Sequence, residues 1–206
     1  MKFKFNMPVN LKFGTGVIKE NSEDFKLGKK ALLVTGKRSA RLSGALDDIL
    51  FVLNEQDIEY DIFDRVENNP SLENVAIGAT HCKQCNADFI IAVGGGSPMD
   101  AAKAIAALAT NNIEPIELLN NKFNNEFLPI IAVPTTSGTG SEVTPYSVLT
   151  IPSFDTKRSF TSQWSFPVVA FADPSYTDSL PHTITVDTAF DAFSHLLESY
   201  CSKRSS

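Results

Sequence analysis

The chain has 206 residues, of which 43% are hydrophobic and 20% charged, so it is long enough to bury a core of its own. Its formal net charge of −6 argues against a nucleic-acid partner, because phosphate backbones are bound by clustered lysine and arginine. No stretch approaches the roughly 18 to 20 consecutive apolar residues of a membrane span, and the first residues lack the apolar segment of a signal peptide.

Short apolar strands alternate with amphipathic helices along most of the chain. Residues 1–15 alternate polar and apolar side chains between turn-forming residues, which predicts a hairpin or an edge strand. The next strands are predicted over residues 30–35, 60–63, 89–93 and 128–133, and the helices over 40–54, 71–85 and 98–109. This order predicts an α/β fold with a parallel, Rossmann-like sheet that binds its ligand at the carboxyl ends of the strands.

The pattern changes after residue 142. Residues 143–172 contain two β-rich segments without a helix between them, which predicts a β-excursion lying over the sheet. A final helix is predicted over roughly 183–201.

A glycine-rich turn joins the strand at 89–93 to the helix that follows it. The glycines at 94–96 lack a Cβ, which lets a ligand approach the backbone. We predict Ser97 as the N-cap and Pro98 as the first residue of a helix whose N-terminus offers unpaired N–H groups. The turn thus predicts an anion site for nucleotide phosphates. A tight turn of purely structural importance is the alternative, because Met99 stands where the dinucleotide fingerprint has its third glycine.

Two other loops follow predicted strands. Residues 36–39 contain Lys37 and Arg38, and residues 134–142 are dense in hydroxyls and glycine, which suits hydrogen bonding to a ribose and a phosphate. The same composition also occurs in plain flexible loops. Because the carboxyl ends of parallel strands lie at one edge of a sheet, we expect both loops to meet the glycine turn there.

Asp191 and His195 lie four residues apart in the last predicted helix, so they project from one face. A carboxylate and an imidazole at this spacing can supply half of a divalent-metal site, although most such pairs are surface or helix-stabilising contacts.

The chain has three cysteines, and Cys82 and Cys85 form a lone C-x-x-C. This motif closes a predicted helix and has no second pair of ligands for zinc, so we expect a structural role. An odd number of cysteines fits a reducing compartment better than a disulfide framework, and we therefore expect a cytoplasmic protein.

Three motifs together resemble the iron-containing (group III) alcohol dehydrogenases. They are Gly94 to Lys103, Pro134 to Thr144, and Asp191 to His195. The resemblance implies a nucleotide-binding α/β domain over 1–180 and, over 181–206, the first helix of an all-helical metal-binding domain. It also implies hydride transfer between NAD(P) and a small alcohol, aldehyde or ketone, with Fe²⁺ or Zn²⁺ and as a homodimer, without a nucleic-acid or membrane partner.

The resemblance implies a cofactor site position by position. The pyrophosphate would lie against the glycine turn, and the adenosine ribose would meet the loop after the first strand. The implied cofactor residues are Gly36, Lys37, Ser39, Asn69, Gly95, Gly96, Ser97, Pro98, Thr135, Thr136, Thr144 and Lys157. Gly36 stands where a carboxylate would select NAD, and Lys37 and Arg38 lie beside it, so the loop favours NADP, with NAD as the alternative.

Asp191 and His195 would be the first two metal ligands and would act in catalysis through Fe²⁺, with Zn²⁺ as the alternative. The resemblance implies further histidine ligands beyond residue 206, so we expect a fragment or a natural truncation. Two other functions remain open at this point. One is a nucleotide-binding module without redox activity, and the other is a polyol or sugar-phosphate enzyme of the dehydroquinate synthase-like group. The loop at 134–144 favours the alcohol dehydrogenases.

Overall fold

A computed structural model, which describes residues 6–202, contains a six-stranded parallel sheet and a two-stranded antiparallel hairpin. The strands are β1 (Asn10–Phe13), β2 (Lys30–Thr35), β3 (Glu59–Phe63), β4 (Phe89–Gly94), β5 (Ile130–Pro134), β6 (Tyr146–Ile151), β7 (Thr156–Thr161) and β8 (Val169–Ala172). The α-helices are α1 (Val17–Glu20), α2 (Ser39–Leu42), α3 (Ala45–Glu55), α4 (Leu72–Cys85), α5 (Gly96–Thr110) and α6 (His182–Cys201). The predicted α/β class with a parallel sheet is confirmed.

The sheet has the strand order β1-β8-β5-β4-β2-β3, and each neighbouring pair is parallel. Alternate residues of β2 enter two different hydrophobic clusters. Leu32 and Val34 pack with residues of α4 and α5, whereas Ala31 and Leu33 pack with residues of α1 and α3. Strands covered on both faces need apolar side chains at every position, which explains the continuous apolar runs of β2, β4 and β5.

The N-terminal strand β1 pairs with β8 at the edge of the sheet, so the edge-strand alternative is confirmed for residues 10–13. The hairpin alternative stays a prediction, because the strand that would pair with residues 10–13 in a hairpin falls mainly within residues 1–5. Residues 1–5 of that prediction lie outside the described part of the chain.

The predicted helix over 40–54 is two helices, because α2 ends at Leu42 and α3 begins at Ala45. Gly44 separates them with a φ of 80°, a left-handed conformation that a glycine adopts without steric cost. The apolar period continues across this break, which is why the sequence reads as one helix.

The prediction of Ser97 as the N-cap of α5 is wrong. Gly95 is the N-cap and Gly96 the first helical residue, so Ser97 and Pro98 lie inside the first turn. The Ser97 hydroxyl instead accepts a hydrogen bond from the backbone N–H of Asn69 at 3.0 Å. Local capping rules would place the Ser97 hydroxyl at the N-terminus of α5, but this hydroxyl is used in a tertiary contact with the segment that precedes α4.

The predicted β-excursion is confirmed only in its first part. Strands β6 and β7 form the antiparallel hairpin, but Val169–Ala172 is β8, which lies in the main sheet between β5 and β1. The burial of Val169, Ala170 and Phe171 is that of a central parallel strand. The hairpin packs on α5 and not directly over the sheet, and the Ser147 hydroxyl donates to the Asp100 carbonyl at 2.8 Å.

Helix α6 confirms the predicted final helix, and its apolar side chains are largely exposed. Phe190 and Phe193 are 69% and 61% exposed, and Leu196, Leu197 and Tyr200 are exposed as well. Within residues 6–202, no helix combines the length and the apolar character needed to cross a membrane.

We expect Gly78→Ala to destabilise the protein by about 1–3 kcal/mol, because a Cβ there would overpack the contact between α4 and α5. The added atom would meet the fully buried Ile105 side chain and lie 3.1 Å from Cε1 of Phe63. This cost exceeds the roughly 0.5–1 kcal/mol that alanine gains over glycine in a helix. Urea unfolding followed by circular dichroism measures the change. Thr80→Ala, at an exposed position of the same helix, is the matched control and should be neutral or slightly stabilising.

Candidate functional site

The carboxyl ends of β2, β4 and β5 open into a cavity of about 420 Å³ that α6 borders on one side. The predicted cofactor residues that line it are Gly36, Ser39, Gly95, Gly96, Ser97, Pro98, Thr135 and Thr136. From the start of α6, Pro181, Ile184 and Thr188 contribute to the lining. The three loops that the sequence selects therefore meet at one edge of the sheet, as a parallel α/β topology predicts.

A second cavity of about 850 Å³ adjoins the first and shares Gly36, Arg38 and Ser39 with it. Lys37 and Arg65 also line this second cavity. Together the two cavities form a continuous groove whose outer end carries three cationic side chains, from Lys37, Arg38 and Arg65. Glu67 lines both cavities and contributes one negative charge.

The glycine turn brings two loops into contact. Gly94 has a φ of 141°, in the region that favours glycine. A Cβ on Gly95 would lie 3.0 Å from the Thr136 hydroxyl, and a Cβ on Gly96 would lie 3.2 Å from the Thr139 methyl carbon. Side chains at these positions would push the hydroxyl-rich loop away from the N-terminus of α5, where the first N–H groups have no partner within the helix.

Thr135 is a buried polar residue without an internal partner for its hydroxyl. It is only 1% exposed, and its Oγ1 has no hydrogen-bond partner among the described residues. Its backbone N–H donates to the Gly94 carbonyl at 2.9 Å, which ties the two loops together. An unpaired buried hydroxyl costs about 1–3 kcal/mol, and Thr135 is one of the residues that line the cavity, so a hydrogen bond from a ligand that reached this hydroxyl would offset the cost.

Three predicted cofactor residues lie outside the lining of the groove. The Lys157 ammonium donates to Asn69 Oδ1 at 2.9 Å, and Asn69 N–H donates to Ser97 Oγ. These two residues therefore reach the glycine turn through Ser97. Thr144 directly follows the 3-10 turn at Ser141–Val143 and is half-buried.

A buried network joins α5 to the hydroxyl-rich loop and the hairpin. The Lys103 side chain is 1% exposed, and its ammonium donates to three oxygens, each at 2.8 Å: the carbonyl and hydroxyl of Ser141 and the carbonyl of Tyr146. Asp100 accepts from the Ser141 hydroxyl at 2.8 Å and from the Val148 N–H at 3.1 Å. Every oxygen that Lys103 contacts thus belongs to the end of the hydroxyl-rich loop or to the start of the hairpin.

Burial has the largest effect on the pKa values of Lys103 and Asp100 in this network. Desolvation lowers the pKa of Lys103 to about 8, although the Asp100 and Glu142 carboxylates oppose the shift. Desolvation also raises the pKa of Asp100, against Lys103 and the hydrogen bonds from Ser141 and Val148. We did not select Lys103 or Ser141 as site residues from the sequence. The available signal was the spacing of three between Asp100 and Lys103, which places a carboxylate and an ammonium on one helix face.

The candidate metal pair lies on α6. His195 Nε2 is 3.9 Å from Asp191 Oδ1, and the two side chains are 55% and 46% exposed. Two ligands of a tetrahedral ion lie about 3.3–3.5 Å apart, so the pair would close by roughly half an ångström to bind one ion; a nitrogen with an oxygen suits Fe²⁺ or Zn²⁺. Within residues 6–202, no third histidine, cysteine or carboxylate joins this pair to form a group of three ligands.

The sequence of the chain is similar to those of known alcohol dehydrogenases. The family model "Iron-containing alcohol dehydrogenase" matches residues 8–174. The chain is 35% identical over 201 residues to the NADPH-dependent butanol dehydrogenase of Clostridium saccharobutylicum, which covers 96% of this chain and 51% of that protein. It is 40% identical over 195 residues to the 1,3-propanediol dehydrogenase of Klebsiella pneumoniae, covering 93% of this chain and 50% of that protein.

The fold of the chain is also similar to solved structures of iron-containing alcohol dehydrogenases. The crystal structure of an iron-containing alcohol dehydrogenase from Thermotoga maritima has a TM-score of 0.94 and 43% identity, and the match covers 100% of this chain and 57% of that chain. The chain therefore spans about half the length of the curated relatives it matches.

We expect Lys103→Met to destabilise the protein by about 3–5 kcal/mol, because it leaves Asp100 and the oxygens around it buried without their cation. The double variant Asp100→Asn/Lys103→Met should cost less than the sum of the single variants, since the second change removes the unpaired charge. Urea unfolding measures all three values. Lys83→Met, an exposed lysine on α4, is the control and should stay within about 0.5 kcal/mol of the parent. Additive losses would show that Asp100 and Lys103 are not coupled.

Proposed function

The chain belongs to the iron-containing alcohol dehydrogenase family, and on that premise we propose that its groove binds NADP(H) for hydride exchange with a small alcohol and its aldehyde or ketone. Membership of this family favours the alcohol dehydrogenases over the dehydroquinate synthase-like alternative. The observation that carries the proposal is the groove itself, where a helix N-terminus, close-packed glycines and two threonines of the hydroxyl-rich loop line one cavity.

The pyrophosphate is proposed to lie against Gly95 to Pro98. The N-terminus of α5 supplies N–H donors and the positive end of the helix dipole, which favour an anion. Thr135 and Thr136 line the same cavity and offer hydroxyl donors across from the helix. Asn69 and Lys157 support this end through the hydrogen bonds that lead to Ser97. A direct contact of Thr144 with the cofactor stays a prediction.

The adenosine ribose is proposed to lie at the outer end of the groove, beside Gly36 and Ser39. Lys37, Arg38 and Arg65 give this end two net positive charges after Glu67 is subtracted, which favours the 2′-phosphate of NADP. The matched relatives include both an NADPH-dependent and a probable NADH-dependent butanol dehydrogenase, so family membership leaves this choice to the loop itself.

Asp191 and His195 are proposed to hold Fe²⁺, or Zn²⁺, from the α6 side of the cleft. Such an ion, when bound, draws electron density from the substrate oxygen and so eases hydride transfer. The chain's own contribution is to set the carboxylate and imidazole 3.9 Å apart on one helix face. Further ligands would come from the part of a longer protein that corresponds to the unmatched half of the relatives.

A nucleotide-binding function without redox activity is the second candidate. The presence of only two ligands for the metal among the described residues favours it for these 206 residues by themselves. A homodimer and a cytoplasmic location stay predictions.

We predict that the chain binds NADPH at least several-fold more tightly than NADH, and that Gly36→Asp removes or reverses this preference. The carboxylate would repel the 2′-phosphate and accept a hydrogen bond from an unmodified 2′-hydroxyl. A side chain fits at residue 36, because its Cβ would lie no closer than 3.8 Å to any neighbour. Fluorescence titration with both nucleotides measures the ratio. Gly36→Ala adds the Cβ without the charge and should keep the preference; equal affinities in the unmodified chain would refute the assignment.

We predict that His195→Ala and Asp191→Ala leave NADPH affinity unchanged, because the cofactor-binding residues lie on other elements. The chain reconstituted with Fe²⁺ should bind NADPH but oxidise it with short aldehydes far below ordinary enzymatic rates, since two ligands bind an ion loosely. Oxidation of NADPH is followed by its absorbance. Turnover at ordinary rates that is lost in His195→Ala would instead favour the complete enzymatic function and reject the binding-only alternative.

A further inference from the structure

A second cluster of metal-ligating side chains lies away from the groove, where α4 crosses the edge strand β3. His81 and Cys85 are four residues apart on α4, so they share one face of the helix. Asp61 of β3 faces them, and the potential ligand atoms of the three residues all lie within 4.8 Å of one another. Within residues 6–202, this is the one group of three such residues.

The His81 imidazole already lies beside the Asp61 carboxylate. His81 Nε2 lies 3.2 Å from Asp61 Oδ1, close to the roughly 3.3–3.5 Å that separates two ligands of a tetrahedral zinc ion. The His81 ring also packs edge-on against Phe63, with the ring centroids 6.0 Å apart. Phe63 is 2% exposed and fixed in the core, so it holds the imidazole beside the carboxylate.

The two cysteines of the C-x-x-C motif differ in what they can bind. Cys82 is 1% exposed and packs in the hydrophobic core, so it is not available to an ion at the surface. Cys85 is half-buried, and its thiol donates to the Cys82 carbonyl of its own helix at 3.4 Å and is also hydrogen-bonded by the Ala87 backbone. Its sulfur lies within 4.8 Å of the potential ligand atoms of Asp61 and His81, so of the two cysteines it is the one placed to bind an ion beside them.

We propose that Asp61, His81 and Cys85 form a zinc site that joins α4 to the edge strand β3, with water as the fourth ligand. An oxygen, a nitrogen and a sulfur from three residues match the ligands that Zn²⁺ takes in tetrahedral sites. On binding, the Cys85 thiol releases its proton to solvent as the Zn–S bond forms, and the imidazole coordinates through Nε2 with its proton on Nδ1. The site is independent of the cofactor groove and of the pair on α6.

Titration of the reduced chain with Co²⁺, followed by displacement with Zn²⁺, tests this site. We expect one equivalent of Co²⁺ to produce a sulfur-to-cobalt charge-transfer band in the near ultraviolet and intense visible bands of four-coordinate cobalt. Zn²⁺ should abolish both sets of bands. Saturating Zn²⁺ should also raise the melting temperature, because a ligand that binds only the folded chain stabilises it.

Four variants separate this site from other metal-binding groups. Cys85→Ser should lose the charge-transfer band, whereas Cys201→Ser, which removes an exposed thiol elsewhere, should keep it. His195→Ala should keep it as well, because α6 contributes no ligand. His81→Gln should weaken binding by at least roughly 10-fold, since loss of a ligand costs no less than loss of an outer-shell partner.

The outcomes that overturn the proposal are equally specific. A band that persists in Cys85→Ser, or that disappears in Cys201→Ser, assigns the sulfur to another cysteine. A chain that shows no charge-transfer band at millimolar Co²⁺ has no such site. Circular dichroism of each variant establishes that it is folded, and His81→Gln provides a second measurement should Cys85→Ser unfold.

Discussion

The buried ammonium of Lys103 is the constraint on which the groove depends. It donates to Ser141 in the hydroxyl-rich loop and to Tyr146 at the start of the hairpin, while Asp100, one turn earlier on α5, accepts from the same loop. A cation removed from water needs every one of these partners, so the loop and hairpin are held against α5 in one arrangement. The burial of one charged side chain therefore fixes the hydroxyl-rich loop, which lines the groove, and the hairpin against α5.

The parallel sheet accounts for the rest of the site's geometry. Because β2, β4 and β5 run in the same direction, the loops that leave them meet at one edge, and α5 begins there with its unpaired N–H groups. The glycine turn is in close contact with Thr136, and the neighbouring Thr135 has a buried hydroxyl without a hydrogen-bond partner. These features underlie the proposal that the groove binds the phosphates of a nucleotide cofactor.

Charge is distributed unevenly over the molecule. The chain is acidic overall, yet Lys37, Arg38 and Arg65 lie together at the outer end of the groove.

The candidate metal ligands lie at two separate places on the molecule. Asp191 and His195 are two exposed side chains on α6, whereas Asp61, His81 and Cys85 join a helix and a strand on another part of the molecule. The two proposed metal sites thus differ in position and in the number of ligands that the described residues supply.

The sequence by itself determined the central strands, helices α4 to α6 and the three loops of the groove, because these follow from local periodicity, glycine and apolar runs. Only the tertiary structure decided features that rest on contacts between distant residues. Ser97 accepts from Asn69 and does not cap its helix, and β8 enters the sheet although its sequence reads like a continuation of the hairpin. Lys103 is buried because the partners that satisfy its charge lie about forty residues away, and no local pattern records that distance.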